Sequence, residues 1–223
     1  MRESFTDKYL NRERLPNDST CKSCATKPGQ FRCMNCFGRP LLCHSCCLAV
    51  HSSQPLHSIE KWTGEFFKKT SLNAEGFILH LCHGGSRCPA NLTPAAKPEA
   101  AEDGGYNEGD EVLLEAWEPR DTKTLVIVDI SRVHQLIVSW CHCQDSPDHA
   151  TQLFENDLFP ASTTRPSTAF TFAVLEYFHV DAVECKTSAS NFFNKLRRLT
   201  DFSNPQSVPV SNTHISFKAY LMC

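Results

Sequence analysis

Apolar and polar positions are arranged differently in successive parts of the chain, and each arrangement predicts an element. GFILHLC (76–82) is a short apolar run closed by a Gly-Gly turn at Gly84 and Gly85, which predicts a buried strand. TLVIVDI (124–130) and VHQLIVSW (133–140) are β-branched runs separated by Ser131 and Arg132 alone, so they predict a hairpin. Beyond them the period lengthens. HATQLFENDLF (149–159) predicts a short helix that ends before Pro160. From Thr168 to Val183, Phe172, Leu175, Phe178 and Val183 recur at roughly helical spacing and predict a longer helix. Another is predicted from Ser188 to Leu199, with Phe192, Leu196 and Leu199 on one face. Arg197 and Arg198 lie near its C-terminal end, where cations favour the helix dipole.

The rest of the chain sorts by composition. Residues 1–20 are polar and read as a loose lead-in, and residues 21–69 form a cysteine-rich unit closed by the aromatic stretch KWTGEFF. The predicted strands and helices then fill residues 70–205, interrupted by an acidic insert at 91–122 that begins with a stretch rich in Pro, Ala and Gly. The expected fold class is α+β: a small cysteine-rich module followed by a mixed domain of one β-hairpin and two helices.

Charge modifies this picture locally. The formal net charge is −3, yet residues 1–69 hold 11 Lys/Arg against 6 Asp/Glu, and residues 98–122 hold 9 acids against one Arg. A nucleic-acid coat protein is excluded for the chain as a whole, while local phosphate contacts are not. Arg32, Arg39, Lys61, Lys68 and Lys69 are the phosphate-facing candidates if the partner is DNA. The opening segment MRESFTDKYLNRERL is charged and lacks the apolar core of an export signal, and no run reaches the 18 or so apolar residues of a membrane span. The expected location is nuclear or cytoplasmic, not secreted, and the sequon Asn91-Leu92-Thr93 then has no glycosylation context.

In such a reducing compartment, thirteen cysteines are better read as metal ligands than as disulfides. Eight candidates lie in four pairs: Cys21 and Cys24, Cys33 and Cys36, Cys43 and Cys46, then His51 and His57. A two-residue gap lets two thiolates converge from one tight turn onto a tetrahedral ion, which points to zinc, and eight ligands make two sites. Neighbouring pairs could share an ion, or alternate pairs could. Cys47 and His44 are spare neighbours. Farther on, His83, Cys88, Cys141 and Cys143 predict a third zinc site that closes the acidic insert at its base, with Cys82 competing with His83. The bland alternative for this second cluster is a set of core thiols at strand ends.

The pair spacings resemble the B-box and ZZ finger families, and that resemblance implies the interleaved arrangement. Cys21, Cys24, Cys43 and Cys46 would hold one ion, and Cys33, Cys36, His51 and His57 the other. A broader resemblance is carried by FRCMNCFGRPLLCHSCCLAVHSSQPLHSIEKWTGEFFKKTSL, FILHLCHGG, WCHC, QLFENDLFPAS, RPSTAFTFAVLEYF and NFFNKLRRLTDFSNP. These strings resemble the CxC-like cysteine cluster domain associated with KDZ (Kyakuja-Dileera-Zisupton) transposases of fungi, over most of residues 21–205. The resemblance implies a zinc-binding region placed ahead of a transposase catalytic domain in a mobile element. Its expected partners are DNA, the associated transposase or another protein, with no membrane and no small-molecule substrate. The family usually has Gly at the position of Cys82, which favours His83 as the ligand. The insert is longer than usual, and residues 206–223 form a divergent tail.

The expected role is therefore recognition without catalysis. The alternative is a metal-dependent nuclease or transposase fragment using Asp129, which follows an apolar strand as the first metal-binding acid does in RNase H-like transposases. Two-metal chemistry needs two or three converging acids, however, and a lone Asp at a hairpin is ordinary turn chemistry. Cys185 with His179 is a weaker nucleophilic pairing, and no phosphate-binding glycine motif is present.

Overall fold

Two sheets carry the fold in a computed structural model that describes residues 2–91 and 122–209. The acidic insert from 92 to 121 and the tail from 210 onward lie outside the described residues. The chain starts with α1 (Arg2–Arg12), where the lead-in was expected to be loose. The helix gains a tertiary anchor that its own polar sequence does not announce. Arg32 donates from Nη1 to the carbonyl of Arg12 at 2.7 Å, satisfying an end carbonyl of α1.

The smaller sheet is antiparallel and built from β1 (Phe31–Cys33), β2 (Leu41–Leu42), β3 (Ile59–Trp62) and β4 (Phe67–Thr70), in the order β2-β1-β3-β4. A short helix, α2 (His44–Val50), follows β2. Arg32 in β1 is only 5% exposed and pairs with Glu60 of β3 at 2.7 Å and with Glu13. Its guanidinium also lies 4.0 Å from the centre of the Phe67 ring. Arg32 is therefore a staple between α1 and the sheet rather than a phosphate contact. Lys61, another expected phosphate contact, is bridged to Glu75 at 3.1 Å.

The larger sheet has the order β5-β7-β6-β9-β8 and is mixed. Its strands are β5 (Ile78–His80), β6 (Thr122–Val128), β7 (Val133–Ser139), β8 (Leu158–Pro160) and β9 (Thr168–Thr171). The hairpin β6–β7 pairs over seven residues from Thr122↔Ser139 to Val128↔Val133. β5 runs parallel to β7, and β9 runs parallel to β6, so the hairpin becomes the centre of a five-stranded sheet.

Three further helices are α3 (His149–Glu155), α4 (Phe172–Glu184) and α5 (Ala189–Thr200). The helix expected from Thr168 begins instead at Phe172, because residues 168–171 form β9 and Thr171 caps α4 by accepting from Val174 N at 3.2 Å. The anticipated inner faces also end early: Val183 and Leu199 are half exposed, whereas Leu175, Phe178, Phe192 and Leu196 are buried.

One apolar core runs from Phe31 and Ile59 of the small sheet through Leu72 and Phe77 to Leu125, Ile127, Leu136, Val138 and Trp140 of the large one. A second core, on α4 and α5, joins Val128, Val133 and Phe170 to Val174, Leu175, Phe178, Phe192 and Leu196. The packing thus crosses from the cysteine-rich unit into the sheet without a gap at residues 69–70. No helix among the described residues is long and apolar enough to cross a membrane.

Candidate metal centres

Several of the turns and strand ends in the small sheet carry cysteine. Cys21, Cys24, Cys43 and Cys46 bring one sulfur each to within 4.8 Å of one another. Cys21 accepts at its carbonyl from Ala25 N, closing a turn in which Ala25 adopts a left-handed φ of 54°. Cys43 caps α2, and Cys46 follows in its first turn. The Cys24 and Cys43 sulfurs are 3.9 Å apart. Ligands on Zn–S bonds of about 2.3 Å sit about 3.8 Å from each other around a tetrahedron, so this spacing suits one shared ion. The hydroxyl and N–H of Thr26, with the N–H of Lys27, hold the Cys24 thiol down to about 5. Such a turn favours the thiolate that binds metal.

Cys33, Cys36, His51 and His57 form a second group within the same limit. His57 Nδ1 lies 3.4 Å from Cys33 Sγ and 3.5 Å from Cys36 Sγ, and His51 Nε2 lies 3.8 Å from Cys36 Sγ. His51 is fully buried, and its Nδ1 is 2.7 Å from the carbonyl of Cys47, a contact that points Nε2 at the thiols. Burial opposes a charged His51 ring, but contacts with Cys33 and Cys47 outweigh it and push the imidazole up to about 11. Burial likewise opposes a Cys33 thiolate, yet His51 and the N–H groups of Cys36 and Asn35 bring it down to about 6. A cation entering this group would displace the protons that its thiols and imidazoles carry. The buried Cys47 sulfur sits 3.8 Å from His51 Nδ1, behind the imidazole rather than among the converging atoms.

The third group depends on the larger sheet. Because β5 and β7 are parallel neighbours with His80 opposite Ser139, the residues after each strand emerge side by side. His83, in a tight turn with φ of 52°, comes from the β5 end; Cys141 and Cys143 come from the β7 end. Cys88 lies beneath them, 1% exposed. Its sulfur is 3.9 Å from that of Cys141 and 3.7 Å from that of Cys143, while His83 Nε2 is 3.8 Å and 3.5 Å from the same two. All four edges match a tetrahedron of zinc ligands.

The four atoms that all lie within 4.8 Å of one another are those of Cys82, His83, Cys88 and Cys141, so Cys82 stands where Cys143 was expected, while Cys143 keeps its contacts to Cys88 and His83. Burial, then the neighbouring Cys141, pushes the Cys82 thiol up to about 12. Gln152 of α3 holds the β7 end in place. It is 3% exposed, accepts from Cys141 N at 2.8 Å and donates to the Cys141 and Pro147 carbonyls. Asn91, where the insert begins, donates to the Trp140 carbonyl at 3.0 Å.

This β7 end lies within a segment that has a family likeness. Residues 113–204 match the family model described as CxC2 like cysteine cluster associated with KDZ transposases. The CxC2-like segment therefore contains Cys141 and Cys143 but not Cys82, His83 or Cys88, and the first two metal-capable groups lie ahead of it. No curated protein and no solved structure matches the chain. The cysteine and histidine groups could hold metal ions and are consistent with zinc.

Within the CxC2-like segment, Asp129 is committed elsewhere. One carboxylate oxygen accepts from Ser131 N and Oγ at 3.0 and 2.6 Å, and the other from Thr171 Oγ1 at 2.9 Å. Burial works to raise its pKa, but Ser131 and Thr171 outweigh that and hold the carboxyl below its usual value. Among the described residues it joins no metal-capable group. His179 and Cys185 are both exposed on α4 and its C-cap, and no hydrogen bond joins them. The buried Arg32–Glu60 pair and the Gln152 clamp escaped the sequence reading, for neither leaves a periodic or spacing signal.

Proposed function

We propose that this chain is a non-catalytic recognition module of a KDZ transposase-associated protein, held in shape by three zinc ions. Two ions would sit in an interleaved, B-box/ZZ-like N-terminal module, on Cys21/Cys24/Cys43/Cys46 and Cys33/Cys36/His51/His57. The third would sit on His83, Cys88, Cys141 and Cys143, with Cys82 as a bystander. One observation carries this reading: three groups of four Cys/His donors each lie within 4.8 Å of one another, the third counting Cys82, with Cys143 at 3.7 Å from Cys88 and 3.5 Å from His83. A site filled by four protein ligands leaves no position for a reacting water, the arrangement of structural rather than catalytic zinc. The engaged carboxylate of Asp129 supports the same conclusion. Recognition then falls to the surfaces that the ions hold in place, with DNA or a protein as partner.

Elemental mass spectrometry of the purified chain tests the proposal. Three zinc per chain are expected, two after Cys141→Ser and one after Cys21→Ser with Cys33→Ser. A folded chain with no zinc would refute it.

A further inference from the structure

The expected phosphate contacts are rearranged by the fold, and the rearrangement makes a surface. Between α1 and the loop after Cys36 lies a cleft of about 760 Å³. Lys8, Arg12, Arg14, Lys22 and Arg39 line it, and no acidic side chain does. Among the described residues, Lys8, Arg12, Arg14 and Arg39 have no carboxylate partner; Lys22 is paired with Asp18. Glu13, just past the end of α1, and Glu60 of the small sheet are both spent on buried Arg32. Arg32 thus ties α1 down and leaves its neighbours' charge uncompensated.

Aromatic rings stand beside these cations. Phe37 is fully exposed at the tip of the turn that follows Cys36, which Gly38 and Arg39 complete with φ values of 76° and 47°. Phe5 and Tyr9, one helical turn apart on α1, are 66% and 65% exposed and line a second hollow with Lys8 and Arg12. Several exposed rings clustered among polar side chains, unlike a single one, mark an interaction surface. Cations alone would suit any polyanion, but rings interleaved with them suit unpaired bases, whose faces stack while the phosphates meet Lys and Arg.

We infer that the cleft between α1 and the Phe37 turn binds single-stranded nucleic acid, with bases stacked on Phe37, Tyr9 and Phe5 and phosphates on Lys8, Arg12, Arg14 and Arg39. This rests on the proposed recognition role and names its site and partner. Phe5, Lys8, Tyr9, Arg12, Arg14 and Phe37 are exposed and Arg39 is half-buried, and none of them belongs to a metal group or to either core.

Fluorescence anisotropy on the full chain tests it, with labelled oligothymidylate and oligouridylate strands of about twenty nucleotides, a duplex of the same length and polyglutamate. Either single strand should bind more tightly than the duplex. Phe37→Ala should weaken that binding about tenfold without changing its salt dependence. Arg12→Gln with Arg39→Gln should flatten the slope of log affinity against log salt by about 1.4, near 0.7 for each lost phosphate contact. Equal affinity for the duplex, indifference to Phe37→Ala, or preference for polyglutamate would overturn the inference. So would no binding at low salt. Zinc content measured on the same samples separates the two ideas: zinc intact without strand binding refutes only the cleft, whereas zinc absent refutes the recognition module itself.

Discussion

The two halves of the molecule use their cysteines differently. In the N-terminal half the strands are two to four residues long, and Cys21, Cys33, Cys43 and Cys47 are themselves core residues beside Phe31 and Ile59. In the second half, β6 and β7 pair over seven residues, two helices pack on one face, and the metal-capable cysteines gather at the ends of β5 and β7. A metal in the first half would add to the small share of the core that its few apolar residues supply. At the end of β7 it would be a clamp on a sheet that already has one. Cysteine spacing alone does not distinguish these roles; the amount of apolar surface around the site does.

That contrast can be broken in graded steps. Chelation should have the largest effect, since structural zinc supplies an apparent ~10–16 kcal/mol to small modules. Hydrogen exchange should show residues 21–70 losing protection while β6 and β7 keep theirs; simultaneous loss in both would mean that the halves do not differ. Next comes Arg32→Met, which leaves Glu60 buried without its partner and should cost about 3–5 kcal/mol in chemical denaturation. The same variant should expose α1 to proteolysis with zinc content unchanged.

Asp129→Asn should cost roughly 2 kcal/mol, the scale of hydrogen bonds to a charged group. Its pH dependence has a definite sign. Because folding depresses the Asp129 pKa, its contribution is present above the unfolded value of about 3.9 and lost as pH falls through the folded one. The stability gap between wild type and Asp129→Asn should therefore hold constant from about pH 5 to 7 and close in stronger acid. A gap that widens in acid would contradict the assigned hydrogen bonds. The smallest effect is reserved for Cys82→Ser, expected to retain three zinc and shift stability by under about 1 kcal/mol. Cys143→Ser, by contrast, should lose one ion.

Much of this could be read before any coordinates. The cysteine pairs carry their information in local spacing, and the β6–β7 hairpin in two long β-branched runs with a two-residue gap. What was missed is nonlocal. β8 and β9 are three and four residues long and exist because β6 and each other offer edges to pair with, a property absent from their own pattern. α1 is held through Arg32, twenty positions away from the carbonyl it meets. Arg32 looked like a surface cation because nothing local records that Glu13 and Glu60 converge on it. The choice between Cys82 and Cys143 at the third group likewise follows from the parallel alignment of β5 and β7, which brings Cys82 beside Cys141.

The anchoring of Asn91 has a consequence for how the gene can change. Asn91 is bonded to Trp140, and Thr122 pairs with Ser139, so the chain departs and returns at adjacent positions on one strand. The entropy of closing chain between two fixed points grows slowly with its length, by only about 0.6 kcal/mol per doubling. This point of the fold is a socket: sequences of very different size can be spliced in or removed there while the sheet on which they stand keeps its register.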